Sequence, residues 1–251
     1  MSRIRSAIVL AFATVVAVPA LAEEVAPAHQ DWSFSGIFGT YDRAALRRGF
    51  QVYHDVCSAC HSLSRVRYRD LQDIGFSEDE VKALAAEKKV TDGPNDQGQM
   101  FERPARPADA IVPPFANDEL ARLANNGALP PDLSVIVKAR KGGADYIDAI
   151  LIGFVDAPPD AKIPDGMFYN AAFPGHAIAM PPPLVDGAVT YADKTPATVP
   201  QLAHDAVTFL NWAAEPELEA RKKMGLRVMI YLVLLTAMLY AVKRKVWSKL
   251  H

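Results

Sequence analysis

The chain has 251 residues, 50% of them hydrophobic and 22% charged, a balance that belongs to an ordered globular protein and excludes a disordered or collagen-like one. Its formal charge of -2 conceals a segregation: residues 1–22 and 221–251 carry Lys and Arg but no acid, while residues 23–220 hold 17 Lys/Arg against 29 Asp/Glu, a net of -12. So acidic a body argues against a nucleic-acid binder, and the presence of only two Cys excludes a disulfide-stapled scaffold.

At the start, Arg3 and Arg5 precede an apolar run from Ala7 to Val18, and Ala20-Leu21-Ala22 follows with the small residues of a signal-peptidase site. The run is too short to span a bilayer and leads into a polar stretch, so residues 1–22 read as a secretory signal peptide with the mature chain opening at Glu23. The body over 23–220 is therefore expected outside the cytoplasm of a bacterium-like cell.

Residues Asp42 to Val56 have helical spacing and lead directly into Cys57-Ser58-Ala59-Cys60-His61, the C-x-x-C-H pattern for covalent attachment of a c-type haem. Two thiols three residues apart on a helical turn reach the two vinyl groups of one porphyrin edge, and the adjacent imidazole is then delivered to the iron from the same side. A thioredoxin-like redox pair wants a βαβ setting and a zinc half-site wants two further ligands at similar spacing, and the sequence offers neither. A simple exported disulfide is the plain alternative.

Further along, Ser77-Glu78-Asp79-Glu80 forms a capping box for a helix running to about Lys89 and ended by Thr91-Asp92-Gly93-Pro94. Asn117 caps a helix closed by Asn126-Gly127, and Asp132 caps the next as far as Arg140. Gly142-Gly143 breaks that one before another turn or two from Ala144. Thr198 with Pro200 opens the last helix of the body, whose apolar residues Leu202, Ala206, Phe209, Leu210 and Trp212 share a face. Alternating β-branched runs are almost lacking, so the expected class is mostly α.

A haem iron with one His needs its sixth position explained, because an open site means ligand binding or peroxide chemistry and a closed one means electron transfer. Setting aside Met1 and the Met residues of the C-terminal segment leaves Met100, Met167 and Met180. Met180 follows Pro174-Gly175-His176-Ala177-Ile178-Ala179 and precedes Pro181-Pro182-Pro183, whose locked φ angles stiffen the chain. His176 is its rival. Gly49 and Tyr53 stand eight and four residues before Cys57, and Phe209 and Trp212 are spaced i, i+3; a Gly at a helix crossing under aromatic cover matches the terminal-helix crossing of c-type cytochromes.

Near the end, Val228 to Val242 contains a single side chain more polar than Tyr, Thr236, and is bracketed by Arg227 and Lys243. With Gly225, Leu226 and snorkelling flanks the apolar length is about 27 Å, within tolerance of a hydrocarbon core of roughly 30 Å. Tyr231, Tyr240 and Trp247 fall where interfacial aromatics belong. Residues 221–251 are thus expected to be a transmembrane anchor with a short basic cytoplasmic tail, the exported body leaving the tail inside.

Taken together the sequence resembles the cytochrome c1 family, the haem-bearing subunits of cytochrome bc1 complexes. The resemblance rests on the C-x-x-C-H site with Arg48-Gly49-Phe50-Gln51-Val52-Tyr53 before it, on Asp92-Gly93-Pro94-Asn95-Asp96 with Met100-Phe101-Glu102-Arg103-Pro104, and on Ala124-Asn125-Asn126-Gly127-Ala128-Leu129-Pro130-Pro131-Asp132-Leu133-Ser134. It continues through Phe173-Pro174-Gly175, Ala179-Met180-Pro181-Pro182, Thr195-Pro196-Ala197-Thr198 and Trp212-Ala213-Ala214-Glu215-Pro216, in family order.

The resemblance implies a class I cytochrome c-type haem domain with a long insertion, plus one C-terminal transmembrane helix. One covalently bound haem c is implied, with Cys57 and Cys60 carrying the thioethers and His61 and Met180 as axial ligands. Asn125, Arg140 and Tyr146 are implied at the propionates, and Pro131 beside the haem. Arg140 reads independently as a fixed cation able to pair with a propionate, or as a solvated helix-end charge.

A loop disulfide found in some bacterial relatives is absent here, so the loop from Val155 to Pro164 must be held another way. The implied partners are cytochrome b and the Rieske iron-sulfur protein in a dimeric membrane complex, with a soluble basic cytochrome c as acceptor and the haem domain on the periplasmic side of the inner membrane. The implied activity is that of quinol–cytochrome c oxidoreductase, in which this chain is the electron carrier. A tethered cytochrome c shuttle or oxidase subunit would share the haem site without needing the insertion between Ser62 and Leu133; a haem peroxidase or gas sensor would need an open sixth position.

Overall fold

The computed structural model describes residues 27–248; the expected signal peptide over 1–22 lies outside them. Helix α1 (Arg43–Asp55) starts where the Asp42 carboxylate accepts the backbone N–H groups of Ala44 and Ala45, two of the donors that a helix start leaves unpaired. It buries Leu46, Gly49, Phe50, Val52 and Tyr53 against α5 (Val199–Ala214), which opens after Thr198 with Pro200 in its first turn.

The crossing of α1 and α5 requires glycine. A Cβ on Gly49 would stand 2.0 Å from the carbonyl oxygen of Asp205 and 2.7 Å from the Cβ of Phe209. Around this contact the Phe50, Tyr53 and Trp212 rings lie 5.6, 5.8 and 5.7 Å from the Phe209 ring, within the range of favourable aromatic pairs. Beside it Arg48 donates twice to the fully buried Asp205 carboxylate, at 2.8 and 3.0 Å, so the charge that the crossing buries is matched by a two-pronged partner.

Between these helices the chain departs from the sequence reading in several places. Helix α2 (Glu78–Ala86) carries the expected capping box between Ser77 and Glu80 but stops three residues before Lys89. Lys89–Asp92 instead forms β1, paired antiparallel with β2 (Phe101–Pro104), and Arg103 ties the pair together through Asp92 and Asp109. Neither strand buries a continuous face, which is why no alternating apolar pattern marked them. Helix α3 (Asp118–Ala124) is capped by Asn117 as expected.

The expected helix from Asp132 to Arg140 does not form. The Asp132 carboxylate accepts from the Ser62 hydroxyl at 2.8 Å, the Ser64 N–H at 3.0 Å and the Ser134 N–H at 2.8 Å, while Leu133 N–H bonds the Ser62 carbonyl. These bonds fasten the segment to the loop after His61, and the chain goes on in three-residue turns such as Lys138 N–H to Val135 carbonyl. Helix α4 (Gly143–Ile152) is longer than expected and starts one residue after Gly142, whose φ of 87° only glycine adopts readily.

A second short pair, β3 (Phe168–Tyr169) with β4 (Ala177–Ile178), was also unmarked in the sequence. The loop over 155–164 is exposed almost throughout; turns from Ala161 N–H to the Pro158 carbonyl and Met167 N–H to the Pro164 carbonyl shape it, and Ala171 N–H to the Gly153 carbonyl closes its base. After Pro216, α6 (Leu218–Trp247) runs unbroken for 30 residues, across the boundary at 220 expected between body and anchor. It contains an 18-residue window of mean hydropathy 2.0, none of it buried. A helix of that length, apolar all round and uncovered, is consistent with a membrane anchor.

Candidate haem site

The C-x-x-C-H motif follows α1 as a tight 3-10 turn, Cys57–Ala59, in which both Cys60 N–H and His61 N–H bond the Cys57 carbonyl, at 3.1 and 2.9 Å. Cys57 and Cys60 are unbridged. Cys57 is partly buried at the seam of two apolar clusters, one built on Phe50, Tyr53 and Phe209 and the other on Val52, Leu184 and Leu202. Burial, with a smaller push from Cys60, raises the Cys57 thiol to about 12, so it stays protonated at neutral pH.

His61 is fixed from two directions. Its Nδ1 lies 2.8 Å from the carbonyl oxygen of Pro131, and since a carbonyl only accepts, Nδ1 carries the proton and Nε2 keeps its lone pair. Burial pulls the imidazole pKa below its ordinary value, with the Pro131 bond acting the other way, which favours that neutral tautomer. Its backbone carbonyl accepts the Tyr53 hydroxyl at 3.2 Å. Pro131 therefore contributes more than proximity: it sets the tautomer and plane of the ring, a common outer-shell role toward a metal-binding imidazole.

Met180 is partly buried two residues beyond β4. The turn between β3 and β4 that precedes it is organised by Asn170, which sequence reasoning missed. Asn170 is fully buried, donates to the Ile150 carbonyl at 2.8 Å, and accepts the N–H groups of Ala172 and Phe173 at 3.0 and 3.1 Å. The rival ligand His176 also has its Nδ1 on a backbone carbonyl, 3.2 Å from that of Asn170, and its ring stacks on Tyr169 at 5.5 Å, so these contacts leave its Nε2 lone pair as available as that of His61.

The remaining expected positions lie around these elements. Asn125 ends α3, donating to the Ala121 carbonyl at 2.7 Å. Arg140 is exposed and donates to the Ala139 carbonyl, and Tyr146 lies on α4 packed against the larger apolar cluster. Asp132, next to Pro131, is the further residue that sequence reading placed wrongly, as a helix cap. Burial would raise its pKa, but hydrogen bonds from Ser134 and Ser64 win and hold it at about 2, so it is an ionised tether between the His61 loop and the segment that supplies the Pro131 carbonyl. Among the residues present, two unbridged thiols on one turn and an imidazole with a free Nε2 fit a haem joined by two thioethers and ligated by His61.

A mostly helical domain carried on one long apolar helix, with two thiols and an imidazole placed as a haem would need them, is the class of protein that this fold and site describe. The chain belongs to the cytochrome c1 family: the family model described as "Cytochrome C1 family" matches residues 32–250. It is 52% identical over 234 residues to cytochrome c1 of Rhodospirillum rubrum, covering 87% of this chain and 86% of that one. It is 50% identical over 218 residues to the mitochondrial cytochrome c1 haem protein of Schizosaccharomyces pombe, covering 87% of this chain and 71% of that one. Its match to cytochrome b/c1 of Bradyrhizobium diazoefficiens is 47% identical over 247 residues, 90% of this chain but 36% of that longer protein. Members of the family are electron-transfer haem proteins of bc1 complexes.

Proposed function

We propose that this chain carries one covalently bound haem c, with thioethers to Cys57 and Cys60 and axial ligation by His61 and Met180. In this reading it takes electrons from the Rieske iron-sulfur protein and gives them to a soluble cytochrome c on the periplasmic side of a bacterial inner membrane. The observation that carries the reading is the His61 Nδ1 to Pro131 carbonyl bond behind the Cys57–Ala59 turn, which leaves Nε2 free for iron.

When bound, the haem supplies a one-electron couple, and a His/Met ligand pair places it at a high potential. The protein's part is to hold that couple rigidly. Pro131 fixes the imidazole and Tyr53 the backbone of His61, Asn170 holds the β3–β4 turn before Met180, Pro181-Pro182-Pro183 stiffen the chain after it, and the α1–α5 crossing backs the Cys57 end of the attachment turn. Arg140, Asn125 and Tyr146 serve the propionates, Arg140 as the cation. With cytochrome b and the Rieske protein the chain forms a quinol–cytochrome c oxidoreductase; cytochrome b partnership is supported by the likeness to a cytochrome b/c1 chain. A body with 17 Lys/Arg against 29 Asp/Glu over 23–220 suits a basic soluble acceptor, which it steers at low ionic strength.

Changing Met180→Leu keeps the apolar volume and removes the sulfur. The ferric haem should lose its thioether charge-transfer band and its potential should fall, whereas Met100→Leu and Met167→Leu should leave both unchanged; loss of the band in either control with its retention in Met180→Leu contradicts the assignment.

A further inference from the structure

The turn from Ser33 to Thr40 carries two large apolar side chains that the haem site does not use. Ile37 and Phe38 are each 75% exposed, whereas Trp32, Phe34 and Tyr41 beside them are buried. The turn is stiff. Thr40 N–H bonds the Ser33 carbonyl at 3.0 Å and Ser35 N–H the Trp32 carbonyl at 2.9 Å. The backbone is folded so tightly that a Cβ on Gly39 would lie 1.9 Å from the Ser35 carbonyl oxygen.

Both ends of this turn are fastened to the first turns of α6. Lys222 Nζ donates to the carbonyls of Phe34 and Gly39 at 2.6 and 3.0 Å. Tyr41 N–H donates to Glu219 at 2.9 Å, and Arg43 pairs with the other Glu219 oxygen at 3.1 Å. Along the helix Lys222 precedes Gly225, where the apolar run opens, by about 4.5 Å. The headgroup zone on each side of the hydrocarbon core is about 5–8 Å deep. With α6 spanning the bilayer, the backbone of Lys222 therefore lies at headgroup depth, and the turn that exposes Ile37 and Phe38 is held within one lysine side chain of it.

We propose that this turn is a second membrane contact, in which Ile37 and Phe38 enter the boundary between headgroups and acyl chains next to α6. The proposal rests on the reading of α6 as a membrane span. Lipid is the occupant that the observations favour, because the turn is fastened to the start of that span and presents two large apolar side chains there, the combination that partitions into the boundary between headgroups and acyl chains. A body joined to the bilayer by one helix is free to swivel about it; a second, stiff point of contact removes that freedom and holds the haem domain at one tilt.

The test uses the haem-loaded full chain in vesicles of phosphatidylcholine and phosphatidylglycerol, with a spin label on Phe38→Cys, on Leu234→Cys in the middle of α6, or on Asp79→Cys, a site whose side chain is 95% exposed on α2. Collision rates with oxygen, which concentrates in lipid, and with a water-soluble nickel chelate give the depth of each label, and an unchanged haem spectrum shows that each variant is folded. The label at 38 should favour oxygen over nickel several-fold more than the label at 79, as the label at 234 does. If 38 behaves like 79 while 234 reports lipid, the proposal fails and the span stands. Nickel access at 234 overturns the span and the proposal with it. A label at 38 that is shielded from both reagents in the purified membrane complex assigns the turn to a neighbouring protein subunit and overturns the lipid contact.

Discussion

Gly49 and Arg48 are adjacent and do opposite jobs at one crossing. Gly49 lets two backbones touch, and a methyl group there meets the Asp205 carbonyl, a neighbour with no rotamer by which to move away. Gly49→Ala should therefore cost about 3 kcal/mol, the upper end of overpacking penalties. Arg48 supplies the only charge among the described residues that bonds the buried Asp205 carboxylate. Arg48→Leu leaves that buried carboxylate with the neutral Gln201 amide, 3.0 Å away, and no counter-charge among the described residues, and should cost about 3 kcal/mol, the lower end for a broken buried ion pair. Urea denaturation of the haem-loaded protein, followed by far-ultraviolet circular dichroism, checks both; losses under about 1 kcal/mol would mean that the crossing relaxes in a way the packing does not suggest.

The hairpin of β1 and β2 is held by charge rather than by a buried face. Arg103 grips Asp109 with two bonds, of 2.6 and 3.0 Å, and reaches Asp92 as well. Arg103 lowers the Asp109 carboxyl to about 2 against a smaller opposing effect of burial, and Asp92 is lowered by the same partner. A folded-state pKa below the unfolded value contributes stability that is complete above the ordinary Asp range, near pH 4, and is lost as pH falls toward 2. Amide protection in residues 89–104, relative to the unfolded chain at the same pH, should thus fall between about pH 4 and pH 2 while α1 and α5 stay protected, and Arg103→Gln should show the lowered protection already at neutral pH. Equal protection of this hairpin in the variant would remove the charge account.

That hairpin also shows where the sequence was legible. Helix α1, read from its apolar spacing over 42–56, and α2, read from the capping box at Ser77, could be placed to within a few residues because each carries a strong local signal. Strands with no buried face gave no periodic signal, and Asp132, a good cap by residue type, spends its carboxylate on Ser62 and Ser64, a long-range use that no local pattern announces. The same holds at the site. The C-x-x-C-H motif was readable because its chemistry is local, whereas the Pro131 carbonyl 70 residues away from His61 and the buried Asn170 that holds the β3–β4 turn before Met180 act through backbone contacts that depend on the fold.

At the scale of the whole molecule, body and anchor are not separate pieces joined at residue 220. Leu218 is buried, Glu219 bonds Tyr41 and Arg43, and Lys222 bonds Phe34 and Gly39, so the first turns of α6 pack as part of the body. A chain ended at Glu219 should lose the grip on the 33–40 turn and melt several degrees below one ended at Gly225, both retaining haem because every expected ligand lies upstream. Calorimetry of the two truncated proteins decides this, equal melting temperatures being the contrary result.

In the proposed function the haem of this chain is closed on both sides, by His61 and Met180, and so carries electrons rather than binding a substrate. The most direct measurement is the absorption spectrum of the dithionite-reduced, haem-loaded full chain before and after exposure to carbon monoxide. A six-coordinate carrier should show no change, because the thioether already occupies the position that the gas needs, and Met180→Leu under the same gas should shift at once. Ready binding of carbon monoxide by the unaltered protein would contradict the account and place the site among ligand-binding haem proteins.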